Sequence, residues 1–89
     1  MANHKSAIKR ARQNEVRRIR NMGYKTRSKN VIKEVRAAVA GNAKEQAIES
    51  LTKATSIIQK SASKGAIPNK RASRKISNLA RHVNRLTLS

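Results

Sequence analysis

The chain has 89 residues, and its 22 Lys and Arg face only four Asp and Glu, a formal net charge of +18. It contains no Cys, Trp or Phe and a single Tyr, Tyr24. This excludes a disulfide framework, a thiolate zinc site, a large aromatic core and more than one small domain, and it argues against the sheet-based readers of single-stranded RNA, which stack bases on exposed rings.

Helical spacing runs through the chain, and no alternating run is long enough for a strand. Tyr24, Ser28, Val31, Val35 and Ala38, with Ile32 and Val39 alongside, form one stripe at steps of four and three. The spacing predicts a first helix from about Ser6 to Ala40, closed by Gly41 in the left-handed conformation. Asn42 is then placed to cap a second helix, with Glu45 as its capping-box carboxylate. A second stripe, Ala47, Ile48, Leu51, Ala54, Ile58 and Ala62, predicts a helix over 43–64. Lys60 and Lys64 suit the negative end of its dipole, and Gly65 supplies the stop. Ala72, Ile76, Leu79, Val83 and Leu86 predict a third helix over 68–87, with Pro68 at its first position and Asn69 as the competing cap.

Three such stripes joined by short connections predict an all-α fold, an antiparallel three-helix bundle with a long first helix protruding at its N-terminal end. The chain reads as one domain, 1–89, with a basic arm over 1–23 and the packed part of helix one over 24–40. At a rise of 1.5 Å per residue, helix one is about 50 Å long and helix two about 33 Å, so the first overhangs its partners. In the overhang Ile8, Ala11, Val16 and Ile19 make only a weak apolar stripe among many cations. Gly23, a residue that costs up to about 1 kcal/mol relative to Ala inside a helix, marks where the packed part ends.

The charge is uneven. Residues 1–36 hold twelve basic and two acidic residues, 37–68 hold four and two, and 69–89 hold six basic residues and no acidic one. Two cationic segments therefore flank a nearly neutral middle. A solvated helix face normally carries both signs, and here only Glu15 and Glu34 oppose the first twelve cations. Self-repulsion on this scale calls for a polyanion to quench it. Lys5, Lys9 and Arg12 line one edge of a helix, and Arg10 and Arg17 another, so the arm is expected to fray alone and to become fully helical on RNA.

A helix fits the DNA major groove, but no homeodomain, zinc-finger or zipper pattern is present, and the apolar repeat breaks at Gly41. Phosphate-dominated binding to folded RNA is the better reading, with a DNA-compacting protein as the rival. A membrane-active helix would carry Leu or aromatic residues, and residues 1–23 have none. The longest apolar run, Ala37-Ala38-Val39-Ala40, is far short of the roughly 20 residues of a membrane span. The basic N-terminus lacks the apolar block of a secretory signal, and the equally basic C-terminal third argues against a transit peptide. His4 and His82 lack further ligands at metal spacing, the carboxylates form no acid–base pair, and the serines have no histidine–acid arrangement. No catalytic residue, cofactor, metal or small-molecule substrate is expected.

The run Ala2-Asn3-His4-Lys5-Ser6-Ala7-Ile8-Lys9-Arg10-Ala11-Arg12-Gln13, followed by Arg17-Arg18 and Asn21, resembles the opening of the S-twenty family of bacterial small-subunit ribosomal proteins. Ile32-Lys33-Glu34-Val35-Arg36-Ala37-Ala38 and Lys64-Gly65-Ala66-Ile67, with Ala72, Arg74 and Leu79, are similar to the same family, so the resemblance spans essentially the whole chain. One stretch departs, with Pro68-Asn69-Lys70 standing where the family usually has a His-Lys-Asn type sequence. The resemblance implies a three-helix bundle with a long first helix that binds 16S ribosomal RNA. Its place would be low in the small subunit, at the 5′ domain and the lower end of the penultimate stem. It also implies a cytoplasmic, ribosome-bound protein with few protein contacts. Carried over by position, Asn3, Lys5, Ser6, Lys9, Arg10, Arg12, Arg17 and Arg18 are expected RNA contacts, and Arg74 matches a basic family position. The charge pattern itself adds Arg20, Arg27, Lys70, Arg71 and Lys75.

Overall fold

The computed structural model describes the backbone of residues 2–88 and the side chains of residues 6–88. Three helices follow one another: α1 over Ala2–Ala40, α2 over Lys44–Ser63 and α3 over Asn69–Leu88. The described part measures 67 × 20 × 14 Å, with a radius of gyration of 17.6 Å. A compact chain of this length would have a radius of about 12 Å. The difference is the overhang: every described side chain from Ser6 to Arg20 is exposed, and burial begins around Asn21 and Tyr24. Helix α1 starts earlier than its spacing predicts, and roughly 33 Å of it rises above its first packed turn.

Below that point the stripes converge. Val31, Val35 and Ala38 of α1 meet Ala47, Ala54 and Ile58 of α2 and Ala72, Leu79, Val83 and Leu86 of α3. Ala66 and Ile67, in the α2–α3 connection, are buried over the same core. Helices α1 and α2 share the broadest contact, while α1 and α3 touch least. Residue size accounts for the first of these: Ala47, Ala54 and Ser61 recur every seventh residue on one face of α2, and side chains that small let two backbones approach closely.

Ser61 marks this face directly. Its Oγ lies 3.0 Å from the Ser28 Oγ across the α1–α2 contact, and both residues are buried. The Ser61 hydroxyl donates its one proton to the Ile57 carbonyl at 2.8 Å. Ser28 must therefore be the donor between the two serines, which leaves Ser61 with both its donor and its acceptor used.

The helix ends depart from the predicted caps. Gly41 stays in the helical bonding pattern, its N–H donating to the Ala37 carbonyl at 3.0 Å, and Asn42 takes the left-handed position instead, with φ 55°. The Asn42 N–H then donates to Val39 at 3.1 Å and the Ala43 N–H to Ala38 at 3.0 Å, closing α1 with paired reversed bonds. Asn tolerates this conformation because its short polar side chain can bond locally. Having closed α1, Asn42 does not cap α2, whose cap position is Ala43 with no side-chain hydrogen bond. Gly65 ends α2 as its spacing predicts, with φ 79° and the Ala66 N–H reaching the Ser61 carbonyl at 2.9 Å. Helix α3 opens one residue later than predicted: the Pro68 carbonyl accepts the Ala72 N–H at 3.0 Å, so Pro68 rather than Asn69 takes the cap's part. Among the described residues no helix is long and apolar enough to cross a membrane.

Candidate nucleic-acid interface

The overhang is the first of two cationic surfaces. Arg10, Arg17, Tyr24, Val31 and Ala38 are spaced by seven, so they share one line along α1 within the drift of a straight helix. Asn14, Asn21, Ser28 and Val35 form the neighbouring line. From Tyr24 downward these two lines are the face that packs on α2 and α3. Above the half-buried Asn21 the same face carries Arg10, Asn14 and Arg17, all exposed. The arm thus presents a polar ledge over the open end of the bundle, in the place that a protein partner fills lower down.

Exposed apolar side chains lie on the other faces of the arm: Ile8 is 49% exposed, Val16 65%, Ile19 59% and Met22 55%. Lys9, Arg12 and Arg20 are exposed among them. Arg18 is not a free cation, since its Nη2 and Nε hold Glu15 Oε1 and Oε2 at 2.6 and 3.1 Å. This bidentate pair holds the Glu15 carboxyl below its ordinary value and the Arg18 guanidinium above its own. Arg27 leans over the Tyr24 ring, 5.5 Å from its centroid.

The second surface is the seam between α1 and α3, left open because these two helices touch least. Lys25, Lys29, Lys33 and Arg36 descend along α1 at steps of four, four and three and line cavities that Arg71 and Lys75 of α3 close from the other side. No carboxylate lines either cavity. The acidic residues stand elsewhere. Glu15 pairs with Arg18, Glu34 lies 3.6 Å from Lys53 of α2, and Glu45 and Glu49 sit near the start of α2. Six cations at close quarters with no counter-charge destabilise the isolated fold and favour any bound polyanion.

Of the residues singled out from sequence, the side chains of Asn3 and Lys5 lie outside the described ones. Ser6, Lys9, Arg10, Arg12, Arg17, Arg18 and Arg20 are together on the arm, all exposed. Arg71 and Lys75 join the seam. Lys70, Arg74 and Arg27 are exposed but line neither seam cavity. Sequence reasoning passed over Lys25, Lys29, Lys33 and Arg36, which it assigned to the packed part of helix one. Their own helical period held the signal, because it runs in phase with Arg71, Lys75, Asn78 and His82 on α3.

Residues 2–84 match the family model described as Ribosomal protein S20. The chain belongs to the ribosomal protein S20 family. It is 56% identical over 86 residues to the small ribosomal subunit protein bS20 of Syntrophobacter fumaroxidans, an alignment covering 97% of this chain and 100% of that one. It is 60% identical over 84 residues to the protein of the same name from Desulfovibrio desulfuricans, covering 94% of each chain. The relative from Sulfurimonas denitrificans is 51% identical over 84 residues, covering 94% of this chain and 98% of its own. In this S20-family chain the matched span takes in the arm from Ala2, the seam and all of the core but Leu86.

Proposed function

We propose that this chain binds 16S ribosomal RNA directly, at the 5′ domain and the lower end of the penultimate stem, and stabilises the packing of RNA helices by neutralising phosphates. As a member of a ribosomal protein family it is a structural component of the small ribosomal subunit and not an enzyme. The observation that supports direct RNA binding is the segregation of charge. Cations crowd the arm, where Glu15 is the one carboxylate among the described residues and is taken up by Arg18, and no carboxylate lines the α1–α3 seam.

The two surfaces are at different heights along α1, so each serves a different segment of RNA. On the arm the proposed contacts are Asn3, Lys5, Ser6, Lys9, Arg10, Arg12, Arg17 and Arg20. Arg18 joins them once RNA phosphate displaces Glu15. On the bundle Arg27, Lys70, Arg71, Arg74 and Lys75 act beside the seam lysines. Held between two backbone segments, a rigid cationic body lowers their mutual repulsion without reading their sequence. Contacts are to RNA rather than to many protein neighbours, and the working place is the ribosome in the cytoplasm.

The test is the salt dependence of binding to a 5′-domain transcript. Each phosphate contact adds about 0.9 to the slope of log affinity against log salt on a duplex. Arg12→Ala and Arg17→Ala are each expected to flatten that slope by about one. An unchanged slope for both variants, or equal avidity for duplex DNA and for the transcript, overturns the reading.

A further inference from the structure

We propose that the middle of the α1–α3 seam is a socket for one unstacked nucleotide of the bound RNA, and that it supplies base preference that a phosphate track alone lacks. The proposal rests on the RNA reading above and adds a site to it. A surface that only follows phosphates needs cations and no apolar ground between them. Here the cavity has a floor of Ile32, half-buried, and Leu79, 3% exposed, set between Lys29 and Lys33 on one wall and Lys75 on the other. Apolar floor between cationic walls suits a base or ribose face with its phosphates on either side.

Size narrows the occupant. The cavity holds about 350 Å³, at the small end of ligand sites, and it lies between two packed helices. A duplex cannot enter such a seam, whereas a nucleotide turned out of its stack can. Two further polar side chains, Asn78 and His82, line the cavity. The Asn78 amide carries both donors and an acceptor, the combination that can match a base edge. His82, one turn further along α3, brings the aromatic ring that lines this cavity, and an imidazole can stack on a base or bond to it. Tyr24, the other described ring, is covered by Arg27 and lines none of the seam.

Two measurements on the full chain decide this. The first follows NMR resonances of the Asn78 amide, the His82 ring and the Ile32 methyls during titration with AMP, GMP, CMP and UMP. Ribose 5-phosphate and inorganic phosphate serve as comparisons. Larger shifts with mononucleotides, and a preference among the four, are expected; shifts equal to those from ribose 5-phosphate overturn the socket. The second compares affinities for the 5′-domain transcript and for an unrelated duplex RNA in the double variant Asn78→Ala/His82→Ala. Losing one base contact is expected to cut the preference for the transcript about tenfold. A preference ratio unchanged from the parent chain overturns the proposal. Both positions are exposed, and circular dichroism checks that the double variant keeps its helices. Should the parent chain itself show no preference for the transcript, the RNA reading fails, and the mononucleotide titration alone decides the socket.

Discussion

Ser28 and Ser61 are a pair in which one proton decides the cost of each substitution. Ser61→Ala removes the acceptor of a buried hydroxyl, while Ser28→Ala leaves Ser61 still donating to Ile57. A buried polar group left without its partner costs about 1–3 kcal/mol, and loss of a satisfied neutral bond costs about 1 kcal/mol. Urea unfolding should therefore place Ser61→Ala below Ser28→Ala in stability, with the double variant no worse than Ser61→Ala alone. A reversed order would mean that the proton runs the other way. Neither the pair nor its direction is legible in sequence. Ser28 falls on the apolar stripe by spacing, but Ser61 falls between Ile58 and Ala62 and shows no sign there of facing a hydroxyl 33 positions away.

The helices themselves are legible, since three apolar stripes with period near 3.6 can be satisfied by little else. Their ends are less so. Gly41 and Asn42 are adjacent, both are able to take a positive φ, and only the path into α2 selects Asn42. Once it has closed α1, its side chain is no longer available as a cap. The seam was missed for a related reason. Lys25, Lys29, Lys33 and Arg36 look like the ordinary wet side of a packed helix until α3 is laid beside them.

Gly23 belongs to the same scale. It lies in α1 where packing begins, and a Cβ there would meet no atom within 4 Å. Gly23→Ala is expected to stabilise the helix by up to about 1 kcal/mol. In the free protein this should make the ellipticity at 222 nm more negative, and it should tighten RNA binding if ordering of the arm accompanies binding. Equal ellipticity in variant and parent, with RNA affinity also equal, would show that the arm is fully helical before RNA arrives.

Taken whole, the molecule is a short bundle under electrostatic tension with a bare helix standing on it. Exposed charges separated by more than about 8 Å are largely screened at physiological ionic strength. Added salt should therefore raise the thermal midpoint of the free protein while it weakens the RNA complex. A midpoint that stays level or falls between low and moderate sodium chloride would show that self-repulsion is not what limits the isolated fold. The outer side of α2 stands apart from this tension. Glu45, Glu49, Thr52, Ser56 and Gln59 are exposed there, away from both the arm and the seam. That flank gives the molecule a back, turned outward when its cationic fronts are occupied, and it is the natural anchorage for a fluorophore or affinity handle meant to report on assembly without disturbing it.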